Sequence, residues 1–305
     1  MHTFDHSLVV GISSRALFDL EEENTIYEEH GVGPYSEYQI EHEDAILNPG
    51  AGFALIQALL RLNEITKGER KTEVIVMSRN SADTSLRIFN SIKHYNLDIT
   101  RAALAGGTSL APYLNAFKTD LFLSASEADV QGAIDAGIAA GIICTHNLSR
   151  EEAREINQIK IAFDGDAVLF SDESEKIYQA LGIEAFQDNE RKNANNPLPE
   201  GPFAKFLKTI SLIQQEFTEA QSPIRTALVT ARSAPAHERV IRTLRAWNVR
   251  IDEAFFLGGM AKQDVLKAFG AHIFFDDQAI HTEPASEYVP AARVPYKSDS
   301  GDTGR

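Results

Sequence analysis

Two aspartates, one residue apart, follow a short apolar run in the middle of the chain. Ile159–Phe163 has the composition of a buried strand, and Asp164 and Asp166 come directly after it, separated by Gly165. Ligands of open α/β sheets bind outside the carboxyl ends of the strands. Two carboxylates there suit a hard cation such as Mg²⁺, and one of them could attack a phosphoryl group. The alternative for this stretch alone is a surface turn, because Asp-Gly is common in turns.

Four further polar residues lie at the ends of predicted elements in the second half of the chain. One predicted strand leads into Thr230, another leads into Asp276 and Asp277, and Lys262 begins a predicted helix. Carboxylates that converge on one sheet edge repel one another without a cation, which again implies Mg²⁺. Together with the N–H groups beyond Thr230, the set fits phosphoryl transfer. Taken singly, these residues could be a helix cap, a solvated lysine and a turn.

Composition limits the classes of protein to consider. The 305 residues predict roughly two domains. A formal net charge of −15 argues against binding to nucleic acid polymers or to an anionic membrane. The single cysteine, Cys144, excludes an internal disulfide and is expected to pack in an apolar run. We expect no signal peptide and no membrane-spanning segment, so a cytoplasmic location is the default expectation.

Apolar runs alternate with helical patterns along the chain, which predicts mainly parallel sheets covered by helices on both faces. The predicted strands are Leu8–Ile12, Glu73–Met77, Leu121–Leu123, Ile159–Phe163, Thr226–Val229 and His272–Phe275. The clearest predicted helices are Asp129–Ala140, Arg239–Trp247 and Lys262–Phe269. Residues 20–48 are acidic and mixed, and we assign no element to them.

The two halves of the chain match at a constant spacing. Pairs of residues 152 positions apart include Ser78 with Thr230, Gly106 with Gly258, Phe117 with Phe269, and Phe122 with Phe274. This register predicts an internal duplication of one α/β unit, against the alternative of chance similarity. The positions that match Asp164, Asp166, Lys262, Asp276 and Asp277 hold Ile12, Ser14, Leu110, Ser124 and Ala125. A metal-dependent site therefore belongs to the second half, and the first is a scaffold, a regulatory module or a contributor to substrate binding.

The order of these motifs resembles the haloacid dehalogenase superfamily of phosphohydrolases, and more closely the cytosolic type I, AMP-preferring 5′-nucleotidases. The stretches that carry the resemblance are Val10–Asp19, Phe163–Glu175, Pro223–Ser233 and His272–Gln278, and the similarity runs over about residues 8–295. The resemblance implies two tandem Rossmannoid units with parallel sheets. It implies a degenerate unit at 1–150 and a catalytic unit at 151–295 with a helical cap insertion at about 173–223. The remaining residues, 296–305, are expected to be disordered.

The resemblance also implies a role for each site residue. Asp164 would be the nucleophile, and Asp166 the general acid and then the general base, with its backbone carbonyl on Mg²⁺. The implied metal-site residues are Asp164, Asp166, Asp276 and Asp277, without a decision on which of the last two is a direct ligand. The implied substrate-binding residues are Thr230, Ala231, Arg232 and Lys262, with Thr230 and Lys262 on the phosphoryl oxygens.

These expectations describe a Mg²⁺-dependent 5′-nucleotidase that hydrolyses nucleoside 5′-monophosphates, AMP first, through an aspartyl-phosphate. Another phosphatase of the superfamily and a non-catalytic nucleotide-binding regulator stay open as alternatives. Base preference, a nucleotide effector and a homo-oligomeric state also stay open. Arg79 and Asn80 follow the strand end that matches Thr230, and could face a second, non-catalytic pocket. In the insertion, the aromatic residues Tyr178, Phe186 and Phe203 could contact a base or could be core residues.

Overall fold

The chain divides into two compact units. The computed structural model describes residues 7–66, 70–144 and 158–298. The units are Met1–Ile138 and Ala139–Arg305. The sequence analysis placed the boundary after residue 150, whereas the units divide after Ile138. The segment Ala139–Ile143 forms a strand that pairs within the second unit.

The first unit is an α/β unit with an all-parallel sheet. Its elements are β1 (Leu8–Ile12), α1 (Ser14–Leu17), α2 (Glu21–His30), α3 (Val32–Glu41), α4 (Phe53–Ile65), β2 (Thr72–Ser78), α5 (Leu86–His94), β3 (Arg101–Leu104), α6 (Ala111–Ala116), β4 (Leu121–Ser124) and α7 (Glu127–Asp135). The strand order is β3-β2-β1-β4. Every residue of β1 is buried, as expected of a parallel strand covered on both faces.

The first unit differs from one expectation and has helices in a stretch that was left unassigned. The helix predicted over Asp129–Ala140 ends at Asp135, because Gly137 takes a left-handed conformation with φ 80° that stops the helix. The chain then begins β5, Ala139–Ile143. Residues 20–48, to which no element was assigned, contain α2 and α3. Their polar composition hides the helices, since most of their side chains face solvent.

The second unit has a larger, mostly parallel sheet. Its elements after β5 are β6 (Ile159–Phe163), α8 (Glu173–Lys192), α9 (Ala204–Gln215), a short 3₁₀ turn (Glu219–Gln221), β7 (Ile224–Thr230), α10 (His237–Ala246), β8 (Glu253–Phe256), α11 (Gln263–Phe269), β9 (Ile273–Asp276), α12 (Ala279–Ser286) and β10 (Ala291–Arg293). The strand order is β5-β10-β9-β6-β7-β8, and only the β5–β10 pair is antiparallel. Within the described residues, no helix is long and apolar enough to cross a bilayer.

Alternate residues of the central strands β6 and β9 fill two different cores, as the period of two in a strand requires. Phe163 and Phe275 stack with ring centroids 5.7 Å apart, and Phe206 of α9 packs edge-on to Phe163 at 6.1 Å. The neighbouring residues Ala162 and Phe274 belong to a separate buried cluster on the other side. Both faces of the sheet are therefore covered, so we expect a functional site on this sheet to lie at its strand ends.

The two units share several backbone features. The first-unit order β3-β2-β1-β4 corresponds to β8-β7-β6-β9 in the second unit. Asn96 and Asn248, 152 positions apart, both have φ 52°, and Gly106 and Gly258 have φ 54° and 58°. The first unit also has α2 and α3 between its first two strands, at the position where the resemblance implied a cap insertion in the second unit. A common origin by duplication stays a prediction.

The aromatic core predicts the outcome of a truncation on α9. Phe206→Ala should lower the free energy of unfolding by about 3–5 kcal/mol, because a buried ring is replaced by a cavity. Urea denaturation followed by the fluorescence of Trp247, the single tryptophan, reports on this unit. The matched control is Leu212→Ala on the same helix, where the side chain is 64% exposed and the change should stay within about 0.5 kcal/mol. Equal effects of the two substitutions would contradict the described packing.

Candidate active site

Asp164 directly follows the last residue of β6 and lies at the carboxyl end of that strand. Its N–H group donates to the carbonyl of Phe275 at 2.8 Å, which continues the pairing of β6 with β9 by one residue. The chain then turns through Gly165–Leu169, where Ala167 has φ 60°. A Cβ atom at Gly165 would lie 3.3 Å from the Thr230 hydroxyl oxygen, so glycine lets the turn pass close to this strand end.

Lys262 precedes α11 and links two of the acids. Its Nζ donates to Asp164 Oδ1 at 2.6 Å and to Asp276 Oδ2 at 2.6 Å. All three residues are buried. Burial acts to lower the pKa of Lys262, but the charges and hydrogen bonds of Asp164 and Asp276 outweigh it and raise the pKa. The site therefore holds a fixed ammonium group beside the candidate nucleophile.

Three buried carboxyl groups form one cluster. Asp164, Asp276 and Asp277 each offer an oxygen within 4.8 Å of the others. Burial raises the pKa of Asp164 to about 7 and the pKa values of Asp276 and Asp277 to about 6. Among the described residues, the Asp277 Oδ1 atom is buried and has no hydrogen-bond partner. One lysine cannot balance three ionised acids, so these residues could hold a divalent cation through oxygen ligands.

Tyr296 anchors the other side of Asp277. Its hydroxyl donates to Asp277 Oδ2. Burial, together with this contact, raises the pKa of the Tyr296 phenol, so it stays a donor at neutral pH. The prediction that disorder begins at residue 296 is therefore wrong for Tyr296, because the phenol is tied to the acid cluster. Residues 299–305 of the expected tail lie outside the described residues.

Asp166 faces a different partner from the other acids. Arg232 donates Nε to Asp166 Oδ2 at 2.8 Å and Nη2 to Asp166 Oδ1 at 2.6 Å, a two-bond ion pair. The carboxylate of Asp166 is not in the cluster of three acids. The predicted metal role of Asp166 therefore depends on its backbone carbonyl. Arg232, predicted to bind substrate, has a buried guanidinium that is already engaged.

Glu190 of α8 completes this ion-pair network, and the sequence analysis missed it. Its carboxylate accepts from Arg232 Nη1 at 2.5 Å, from Arg239 Nη1 at 2.9 Å and from the Ser174 hydroxyl at 2.9 Å. Burial alone would raise the pKa of Glu190, but the two arginines and Ser174 hold it below the usual glutamate value. One signal was available: Glu190 lies four residues after Phe186, on the buried side of the helix.

The remaining predicted residues fall into two groups. Thr230 is buried at the end of β7, and its hydroxyl oxygen accepts from the Arg232 N–H group at 3.2 Å. Ala231 is exposed at the same strand end. In the insertion, Phe203 is fully buried in the core, Phe186 lies 5.2 Å from the Arg232 guanidinium, and Tyr178 is exposed. Phe203 therefore has no surface left for a base.

The parallel sheet and its buried acid–lysine cluster define an α/β protein with a candidate site for phosphoryl chemistry. The sequence matches the 5′-nucleotidase family over residues 1–301, and the chain belongs to that family. It is 39% identical over 290 residues to cytosolic 5′-nucleotidase 1B of Homo sapiens. That alignment covers 92% of this chain and 47% of the human protein, so the chain spans about half the length of this curated relative.

Solved structures show only a distant likeness. The Pnkp1/Rnl/Hen1 complex structure is 11% identical with a TM-score of 0.30, covering 98% of this chain and all of the other, 100%. The MnaA–UDP structure from S. aureus is 10% identical with a TM-score of 0.23, covering 93% and 78%. TM-scores this low do not establish a shared fold.

The Glu190 network predicts a large effect of a small change. Glu190→Gln leaves the buried Arg239 without its carboxylate partner and Arg232 with Asp166 alone, so one buried positive charge is uncompensated and the free energy of unfolding should fall by about 3–5 kcal/mol. The lowered pKa of Glu190 means that its carboxylate stabilises the fold above the ordinary glutamate pKa. The difference from wild type should therefore be constant in the neutral range and shrink as pH falls through the lowered pKa.

Urea denaturation at several pH values, read by Trp247 fluorescence, measures this difference. Glu184→Gln is the matched control, because Glu184 lies on the same helix and is exposed. It should change the free energy of unfolding by less than about 0.5 kcal/mol. A Glu190→Gln protein as stable as this control at neutral pH would rule out the network as a source of stability.

Proposed function

We propose that this chain is a Mg²⁺-dependent 5′-nucleotidase that hydrolyses nucleoside 5′-monophosphates, AMP first, to nucleoside and phosphate. The observation that carries the proposal is the buried Asp164, held by Lys262 beside Asp276 and Asp277. Membership of the 5′-nucleotidase family and the name of the human relative support the same reaction. That name also supports a cytoplasmic location.

The acid cluster suits Mg²⁺ on chemical grounds. Asp164, Asp276 and Asp277 supply only oxygen ligands, which Mg²⁺ prefers. Asp277 Oδ1 is a buried acceptor without a partner in the part of the chain that the structure describes, and a cation would satisfy it. When bound, the ion would supply positive charge next to the transferring phosphoryl group. The backbone carbonyl of Asp166 would complete the ligand set.

The first chemical step belongs to Asp164. A carboxylate oxygen of Asp164 attacks phosphorus, the bond from phosphorus to the 5′-oxygen breaks, and an aspartyl-phosphate forms. Lys262 and the Thr230 hydroxyl hold the phosphoryl oxygens, and the N–H groups beyond Thr230 add donors. Lys262 donates to Asp164 at 2.6 Å, so the ammonium is already beside the atoms that react.

Asp166 moves the protons in both steps. It protonates the departing 5′-oxygen, and it then takes a proton from the water that attacks the aspartyl-phosphate and releases phosphate. Both oxygens of Asp166 accept from Arg232 in the structure. The proton-donor role therefore requires Asp166 to exchange Arg232 for the substrate. Arg232, once released, is available to the phosphate, which agrees with its predicted role in substrate binding.

The unit architecture enters the proposal in two ways. We infer that the two units descend from one α/β ancestor, which the shared strand order and the paired left-handed residues support. We also infer that α8 belongs to a cap over the site. Glu190 on α8 supports this role because it connects the helix to Arg232.

Phosphate release tests the reaction. We expect release from AMP that requires Mg²⁺ and that falls by at least about 10³-fold in Asp164→Asn, which removes the nucleophile. Asp166→Asn should lose about 10²–10⁴-fold, the usual contribution of a general acid–base. The matched control is Asp264→Asn, an exposed aspartate on α11, which should keep wild-type activity.

A panel of 5′-nucleotides and sugar phosphates separates the alternatives. Release only from sugar phosphates would keep the mechanism and reject the substrate. AMP binding without release from any phosphomonoester would favour a non-catalytic regulator. Release that survives Asp164→Asn would reject the nucleophile.

Metal binding should also change stability in a pH-dependent way. The raised pKa values of Asp164, Asp276 and Asp277 mean that, without metal, the folded state binds more protons than the unfolded state from about pH 4 to about pH 7. The melting temperature in chelator should therefore fall as pH rises through this window. Mg²⁺ should raise the melting temperature more at pH 7.5 than at pH 5.5, because protons compete for the same oxygens.

Thermal melting with Mg²⁺ and with chelator measures both effects. Asp277→Asn should reduce the stabilisation by Mg²⁺, and Asp264→Asn should leave it unchanged. A stabilisation by Mg²⁺ that is equal in both variants and independent of pH would reject the acid cluster as the metal site.

A further inference from the structure

The first unit contains a pocket at the same edge of its sheet. Its volume is about 440 Å³, within the range of small-molecule sites. Residues at the carboxyl ends of β1, β2 and β4 form one wall, among them Ser14, Ser78 and Ser124. Tyr27 and Tyr35, from α2 and α3, also line the pocket. The pocket lies wholly within the first unit and is called the first-unit pocket below.

Two buried hydrogen-bond donors in this pocket lack partners. Arg15 uses Nη2 for Glu21, at 3.0 Å, but its buried Nε has no partner among the described residues. The side-chain nitrogen of Asn80 is also buried and has no partner with good hydrogen-bond geometry within the described part of the chain, although its amide is close enough to the Tyr35 hydroxyl to act to lower the pKa of that phenol. Leaving buried donors unpaired is unfavourable, so both point to a ligand that brings acceptor oxygens.

The acids that line the pocket are already neutralised. Asp129 accepts from Arg79 Nε at 2.5 Å, and Glu23 accepts from Arg87 Nη1 at 2.5 Å. Neither carboxylate is an unpaired negative charge facing the cavity. Among the described residues that line the pocket, both unsatisfied groups are N–H donors. A cationic ligand offers them no acceptor, so they favour a ligand with anionic oxygens.

The aromatic part of the lining suits a planar ring. Tyr27 and Tyr35 meet edge to face with centroids 5.8 Å apart, and Tyr27 is half exposed. Leu20 and Val32 extend this part of the lining with apolar surface. Aromatic faces of this kind bind other rings by offset or edge contacts.

The first-unit pocket lacks the groups that would break a phosphate ester. Ile12 and Ser14 stand where the second unit has Asp164 and Asp166, and Ser124 and Ala125 replace its paired acids. No acid cluster suited to a metal occurs here among the described residues. A ligand would therefore be held by hydrogen bonds and ring contacts and left unchanged.

We propose that the first-unit pocket binds a small molecule that joins a planar ring to an anionic group, and that it does so without metal and without hydrolysis. The ring faces Tyr27, and the anionic group meets the donors of Arg15 and Asn80. All the residues that support this proposal belong to the first unit, so the proposal does not depend on the nucleotidase reaction.

Photolabelling locates such a ligand on the chain. The probe is 8-azidoadenosine 5′-monophosphate in chelator, followed by mapping of the labelled peptides. We expect label in the segment that contains Tyr27 and Tyr35. AMP should compete well, inorganic phosphate should compete at higher concentration, and uncharged adenosine should compete at least about tenfold less well than AMP, since a charge-assisted hydrogen bond is lost.

Substitutions of Arg15 and Asn80 test whether the labelling depends on their N–H donors. Arg15→Gln and the isosteric Asn80→Asp should each reduce first-unit labelling by about tenfold or more. Lys93→Gln is the matched control, because Lys93 is exposed on α5 and outside the pocket, and its labelling should equal wild type. Melting temperatures establish that each variant is folded, and Asn80→Asp serves if Arg15→Gln is not.

Label found only in the second unit would overturn the proposal. First-unit label that survives both pocket variants, or that adenosine displaces as well as AMP does, would also overturn it. Label in the second unit tests the nucleotidase site separately, so a failure of one site does not obscure the other.

Discussion

Three carboxyl groups and one ammonium share a buried space at the carboxyl end of the second-unit sheet, and the site depends on their balance. Lys262 bridges Asp164 and Asp276, and Asp277 is held by Tyr296 on the far side. Burial disfavours the charged form of each acid, so bound protons or a cation must balance the negative charge that Lys262 leaves uncompensated. The parallel strands β6 and β9 bring the acids together, and the helix after Lys262 fixes the bridge.

A second charge network sets the geometry of the candidate acid–base. Arg232 spans from Asp166 on the turn after β6 to Glu190 on α8, and Glu190 continues to Arg239 on α10. Two guanidiniums face two carboxylates, so the network is neutral although it is buried. Removing one member leaves another charge uncompensated, which is more costly than losing an exposed ion pair. The position of Asp166 is therefore coupled to the helix that we propose as the cap.

The residues that the sequence analysis found are those that directly follow apolar runs. Asp164, Thr230 and the Asp276–Asp277 pair could be placed because the apolar run of a buried strand shows where the strand ends. The carboxyl ends of parallel strands meet at one edge of the sheet. Glu190 and Tyr296 were missed because their partners lie 42 and 19 residues away in the sequence. The spacing of Glu190 from Phe186 indicates a buried position but does not identify its partner. The short strand β5 was missed for a similar reason: its pairing with β10 joins distant segments, while its apolar sequence fits a helix equally well.

The two units present different side chains on the same order of strands. Arg87 and Arg239, 152 positions apart, each bind a buried glutamate, but Glu23 comes from α2 and Glu190 from the end of α8. In the second unit Glu190 also holds Arg232, whose counterpart in the first unit is the neutral Asn80. Without that arginine and without the acids it serves, the first-unit strand ends carry hydroxyls around a cavity. The replacements that remove the candidate catalytic groups leave hydrogen-bond donors and open space, which suits the binding without hydrolysis that we propose for the first-unit pocket.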